Sequence, residues 1–143
     1  MTPRSEVRCR ILRVELDAWI MQGRLRSAAA LALMQEAAEL EAATPKHRVT
    51  PAPVLPASEQ LGDLLADLGK SEAALAAYKR SMANYPQRFN TVLGAARAAR
   101  ASKDAKDAQT FYRALLSLAA DASPRPALAE ARTYGNDSKL GRR

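Results

Sequence analysis

The sequence predicts an all-helical fold, and three observations predict it. Apolar residues make up 48% of the 143-residue chain but aromatics only 5%. The core must therefore rest on alanine and leucine, which suit closely packed helices and suit strands badly. Val, Ile and Thr are few, without the long alternating runs that strands need. Apolar residues recur instead at spacings of three and four, one face of a 3.6-residue period. The length fits one domain.

The first helix is expected over about 5–22. Its face is Leu12, Leu16, Trp19 and Gly23, spaced 4, 3 and 4 residues apart, with Gly23 as the stop. A second helix runs from an N-cap at Ser27 to about Ala43, with the face Ala30, Leu33, Met34, Ala37 and Leu40. Residues 44–56 hold four prolines in thirteen positions, which forbids a helix and favours extended backbone. Val49, Val54 and Leu55 there suggest a loop packed on the body. Helix three covers about 57–68 with the stripe Leu61, Leu64, Leu65 and Leu68, and ends at Gly69. Helix four starts with Ser71 as N-cap and runs to about Asn84, where Pro86 stops it. Helix five spans about 88–102. Asp104 caps helix six, with Asp107 three residues on as a capping-box analogue, and that helix reaches about Ala120. Ser123-Pro124 opens a short last helix over about 124–133, and residues 134–143 read as a flexible polar tail.

The net charge of +7 is spread evenly. Residues 1–50 carry 8 Lys/Arg against 6 Asp/Glu, residues 51–100 carry 6 against 4, and residues 101–143 carry 8 against 5. Nucleic-acid binders usually concentrate their basic residues, so the distribution disfavours that class and leaves a mild preference for acidic partners. Cys9 and His47 are the only residues of their kinds, which excludes an intramolecular disulfide, cysteine metal clusters and His-pair zinc sites. The one Cys/His pairing available joins a helix-patterned stretch to a loop. Neither a Gly-rich phosphate loop nor a G-x-S-x-G elbow is present. The expectation is a non-enzyme without cofactor or metal. No apolar run reaches the ~20 residues of a membrane span, and Met1-Thr2-Pro3-Arg4-Ser5 leads into charged residues rather than a signal peptide. A cytoplasmic location is expected.

Shifting the chain by 34 residues superposes two segments. Gly69-Lys70-Ser71-Glu72-Ala73-Ala74 falls on Lys103-Asp104-Ala105-Lys106-Asp107-Ala108, and Tyr78 falls on Tyr112. The unit 55–88 then carries Leu61-Gly62 in its first helix, Gly69 between the helices, Ala74 early in the second, Tyr78 four residues later, Ser81, and a terminating Pro86. This pattern resembles the tetratricopeptide-repeat (TPR) family, and in particular the C-terminal part of longer bacterial TPR proteins. Ser58 stands where the family has an early aromatic. The second unit, 89–122, keeps Ala108 and Tyr112 but has Ala95-Ala96 for Leu-Gly and Ala120 for the proline. A degenerate unit is expected across 9–44, although Gly23 to Ala30 is two residues longer than Gly69 to Ala74.

The resemblance implies one domain over 5–133, a short right-handed superhelix of helix hairpins with a C-terminal cap helix and a proline-rich insertion after the first unit. It also implies a protein-binding scaffold with a peptide or protein in the groove lined by the first helix of each pair. The groove residues are then Glu59, Asp63, Ala66, Asn90, Leu93, Arg97 and Arg100. Arg97 and Arg100 lie one turn apart, so their guanidinium groups can converge on a carboxylate of an acidic peptide. They can equally pair with Asp63 and Glu59 across the groove. The loop 44–56, with His47 and Arg48, is a second candidate, folding into the groove as a built-in ligand or gate. Tyr78 and Tyr112 are expected in the core. The alternative functions are a nucleic-acid-associated helical-repeat protein and a regulatory subunit of an enzyme. An apolar first helix without a polar cap would favour a homodimer or continuation into a longer chain.

Overall fold

The computed structural model describes residues 3–44, 53–120 and 125–137. These form α1 (Pro3–Gly23), α2 (Ser27–Ala43), α3 (Ala57–Asp67), α4 (Ser71–Asn84), α5 (Phe89–Ala101), α6 (Ala105–Leu118) and α7 (Pro126–Asp137). There is no strand among the described residues. Each helix packs on its neighbour in the chain, most extensively within the pairs α1–α2, α3–α4 and α5–α6, and α3 also touches α5. None of the helices is long and apolar enough to cross a membrane.

The three pairs close through the same turn. Leu25, Gly69 and Lys103 each take left-handed backbone, with φ of 58°, 71° and 64°. The next N–H in each case reaches back five residues, Arg26 to Met21 O at 2.9 Å, Lys70 to Leu65 O at 2.9 Å and Asp104 to Ala99 O at 2.8 Å. This bond closes a helix C-terminus by satisfying a carbonyl that has no intrahelical partner. Leu25 and Lys103 bear a left-handed conformation that only glycine adopts freely, at a cost of about 1 kcal/mol each. In every pair the residue five positions later is a buried alanine, Ala30, Ala74 or Ala108. The turn residue of the first pair is thus Leu25, not Gly23, and counting from Leu25 removes the two-residue discrepancy with the second pair.

The same turn displaces two expected caps. Arg26 and Lys70 occupy the N-cap positions without side-chain bonds, and Ser27 and Ser71 are the first helical residues. Asp104 does cap α6, accepting from the Asp107 N–H at 3.0 Å. The Asp107 carboxylate turns instead to Lys79 of α4.

The core is mostly alanine and leucine. Ala30, Met34, Ala37, Ala38, Leu64, Ala74, Ala95, Ala96, Ala99, Leu115 and Ala131 are fully buried, and Leu61, Leu65 and Tyr78 nearly so. The expected face of α1 holds at Trp19, which packs on the core, and fails at its two leucines. Leu12 and Leu16 are 62% and 61% exposed, while Ile11, Glu15 and Ala18 are buried and Val7, Val14 and Met21 pack beside them. Helix α1 carries apolar residues on two opposite faces, so periodicity alone cannot say which one meets α2. At the other end, α7 runs to Asp137, so the first residues assigned to the tail are helical. The Ser123-Pro124 cap lies outside the described residues.

Candidate functional site

The residues expected to line a groove fall into two clusters. The first is built on Glu59 in the opening turn of α3. It is 1% exposed and is held by Arg88 Nε at 2.8 Å and by the hydroxyl of Thr91. Arg88 stands just before α5 and also donates from Nη2 to Val54 O at 2.9 Å. Glu59 therefore fastens α3 to α5 and is not presented to a ligand. A carboxylate so deeply buried needs this charged partner, because desolvation without pairing is costly. Of the loop, the described residues 53–56 meet this cluster through the Val54 carbonyl and the buried Pro56. Val54 is 94% exposed and Leu55 40%, against the expectation that they pack, whereas Pro56 is buried. The Ala57 N–H donates to Glu41 Oε2 at 3.1 Å. Val49, His47 and Arg48 lie outside the described residues.

Close by, Trp19 Nε1 donates to Gln60 Oε1 at 2.7 Å, linking α1 to α3. Glu15, one turn earlier on α1, has its pKa pushed up to about 7. Burial is the main cause; a hydrogen bond from Gln60 offsets part of it, and the Glu41 carboxylate adds to it. Asp63, the next expected groove acid, accepts from the Tyr78 hydroxyl at 2.7 Å. Burial raises its pKa, the Tyr78 bond works against the rise, and Glu59 and Asp67 add to it.

The second cluster lies on the exposed side of α5. Arg97 grips Glu130 of α7 in bidentate fashion, Nη2 to Oε2 at 2.8 Å and Nε to both oxygens at 3.2 and 3.3 Å. Arg100 Nη1 approaches Oε1 at 3.5 Å. The Tyr112 hydroxyl donates to Oε1 at 2.6 Å. Tyr134 completes the group, its ring stacked on Tyr112 at 5.2 Å between centroids and covered by the Arg100 guanidinium at 4.6 Å. The hydrogen bond from Arg97 holds the Glu130 carboxyl below the usual range, with Tyr112 and Arg100 acting the same way against burial.

The two arginines do converge on one carboxylate, and it comes from α7 rather than from Asp63 or Glu59. Asn90 is exposed, Leu93 is half-buried against the core, and Ala66 is exposed. Tyr78 and Tyr112 are buried. Sequence reasoning missed Glu130 and Tyr134 because both were assigned to a cap or tail. The available signal was the 34-residue register, which places Leu128 one period beyond Gly94 and so continues the pattern into α7. Among the described residues no group of three or more His, Cys, Asp or Glu side chains could hold a metal ion. Compared with known proteins, the chain matches no family model, and no curated protein matches it at a significant level.

Proposed function

We propose that the chain is a TPR-like adaptor that binds an acidic peptide or helix of a protein partner along α5, with Arg97 and Arg100 reading the carboxylate. The observation that carries this reading is the Glu130 contact. Both arginines point at one carboxylate while keeping about half of their own side-chain surface exposed, at 53% and 45%. The guanidinium fork suits bidentate capture of a carboxylate, and the Tyr112 hydroxyl adds a third donor. The shared turn at Leu25, Gly69 and Lys103, and the 34-residue spacing of the last two, support the repeat reading.

In this reading Glu130 is a ligand in cis, and an acidic partner competes with it. Fluorescence anisotropy with labelled acidic and basic helical peptides tests the idea. Acidic peptides should bind more tightly to Glu130→Ala than to the wild-type chain, and an Arg97→Glu/Arg100→Glu variant should lose them. Equal binding of acidic and basic peptides by all three proteins would remove the arginine site.

A further inference from the structure

The outer side of α1 is apolar, and no helix among the described residues covers it. Leu12, Leu16 and Ile20 are 62%, 61% and 40% exposed and follow one another at four-residue spacing, with exposed Cys9 on the same side. The counterparts of Ile20 in later pairs, and that of Leu16 in the third, are covered, whereas Asn90, which matches Leu12 in the third pair, is exposed. Counted from the shared turn residue, Ile20 matches Leu64 and Ala98, which are 0% and 4% exposed. Leu16 matches Gly94, where an added Cβ would lie 2.4 Å from the Tyr78 ring of α4. The face that receives a helix in the third pair therefore stands open in the first.

The charges beside this stripe indicate what covers it. Glu6, Arg13 and Asp17 lie along one edge of α1 and Arg24 stands one residue past its end, at intervals of 7, 4 and 7 residues, with Arg13 and Asp17 paired within the helix at 3.9 Å. Glu6 and Arg24 lie nine residues either side of Glu15, and Arg13 and Asp17 lie two either side of it. In an antiparallel helix pair the same edge of each helix meets its own copy. A second copy of α1 laid antiparallel then sets Glu6 against Arg24 of the second copy and Arg13 against Asp17 of the second copy. The apolar residues obey nearly the same symmetry, because Leu12 and Ile20 lie four either side of Leu16. The two centres differ by one residue, about 1.5 Å of helix rise. Antiparallel pairing also opposes the two helix dipoles.

We propose that two copies of the chain pair through the outer face of α1, antiparallel, with Leu16 on the two-fold axis and the Glu6–Arg24 and Arg13–Asp17 ladder fixing the register. One helix face is smaller than the ~800 Å² per partner of a standard interface, so the dimer is weak and forms in the micromolar range.

Sedimentation equilibrium of the full chain, from about 1 to 500 μM to span that range, should show a monomer–dimer transition. Leu16→Glu should abolish it while circular dichroism shows unchanged helicity, since Leu16 is solvent-facing in the monomer. Glu6→Arg should weaken the dimer at least several-fold, and Glu6→Arg/Arg24→Glu should restore it. In a Cys9→Ser background, Leu16→Cys should oxidise to a disulfide-linked dimer. Native Cys9 should not, because antiparallel pairing separates the two sulfurs by about 21 Å along the helices. A chain monomeric throughout, a dimer indifferent to Leu16→Glu, or a direct Cys9–Cys9 disulfide in the reduced-then-oxidised wild type would each overturn the proposal.

Discussion

Tyr78 and Tyr112 occupy the same place in successive helix pairs, 34 residues apart, yet they are held by different forces. Tyr78 is wedged between two glycines. A Cβ at Gly62 would lie 2.6 Å from its ring, and one at Gly94 2.4 Å. One period on, those positions are Ala96 and Leu128, both nearly or fully buried. There the ring lies against Tyr134 instead. The hydroxyls differ in the same way. Tyr78 finds its acceptor, Asp63, in the first helix of its own pair. The matching position in the next pair is Arg97, which cannot accept, so Tyr112 takes its acceptor from α7. Replacing one acid by a base thus makes the tyrosine of the third pair draw its acceptor from the helix that follows, whereas the tyrosine of the second pair finds its acceptor within the pair.

The largest expected effect breaks the glycine contact. Gly94→Ala should cost about 3 kcal/mol, the upper end for overpacking, because the clashing atoms belong to a rigid buried ring. Trimming that ring with Tyr78→Leu in the same chain should recover part of the loss, and a double-mutant cycle in urea would measure the coupling. Additive losses would mean that Tyr78 does not lie against Gly94.

A second test uses Glu15, the buried acid of the first pair, which has no tyrosine to donate to it. Its folded pKa is raised to about 7 from 4.5. The folded chain therefore binds a proton more readily than the unfolded chain, and the contribution to stability is full below about pH 4.5. It is lost as the pH rises through about 7. A shift of this size corresponds to about 3 kcal/mol, and partial solvation of the carboxyl reduces the expected loss over that window to about 2 kcal/mol. Glu15→Gln should flatten the slope and raise the melting midpoint at pH 8. An unchanged slope between pH 5 and 8 would place the carboxyl in water.

The smallest effect separates the two tyrosine acceptors. Glu130→Gln should cost about 1 kcal/mol at pH 7, since Arg97 and Arg100 are half exposed and such pairs are screened. The cost should shrink as the pH falls through the lowered pKa of Glu130, because the native carboxylate is then protonated in both folded and unfolded chains. Asp63 is shifted the other way, so Asp63→Asn should be neutral or slightly stabilising at pH 7. Urea midpoints at pH 7 and pH 3 distinguish the two, and parallel behaviour would show that the charge reversal at Arg97 has no consequence for its neighbours.

Composition and spacing made much of this legible. The lack of strand-forming residues, the leucine stripe of α3, the Asp104 cap and the 34-residue step from Tyr78 to Tyr112 depend on local pattern, and a sequence displays local pattern directly. The convergence of Arg97 and Arg100 was also legible, because residues three apart on a helix share a face. Their actual partner was not. Glu130 lies 33 residues away from Arg97, and nothing local distinguishes it from Asp63 or Glu59 as the nearest acid.

What the sequence by itself determined is which segments are helices and which residues repeat. These follow from backbone propensity and from periodicity, properties of a few consecutive residues. The tertiary structure decided which face of α1 is buried, where the first pair turns, and which acid answers each tyrosine and arginine. Leu25 could be recognised as the turn residue only from its backbone bonds, since a leucine with left-handed φ leaves no compositional mark. Helix α1 offers two apolar faces of similar strength, and only packing against α2 chose between them and left Leu12, Leu16 and Ile20 in solvent.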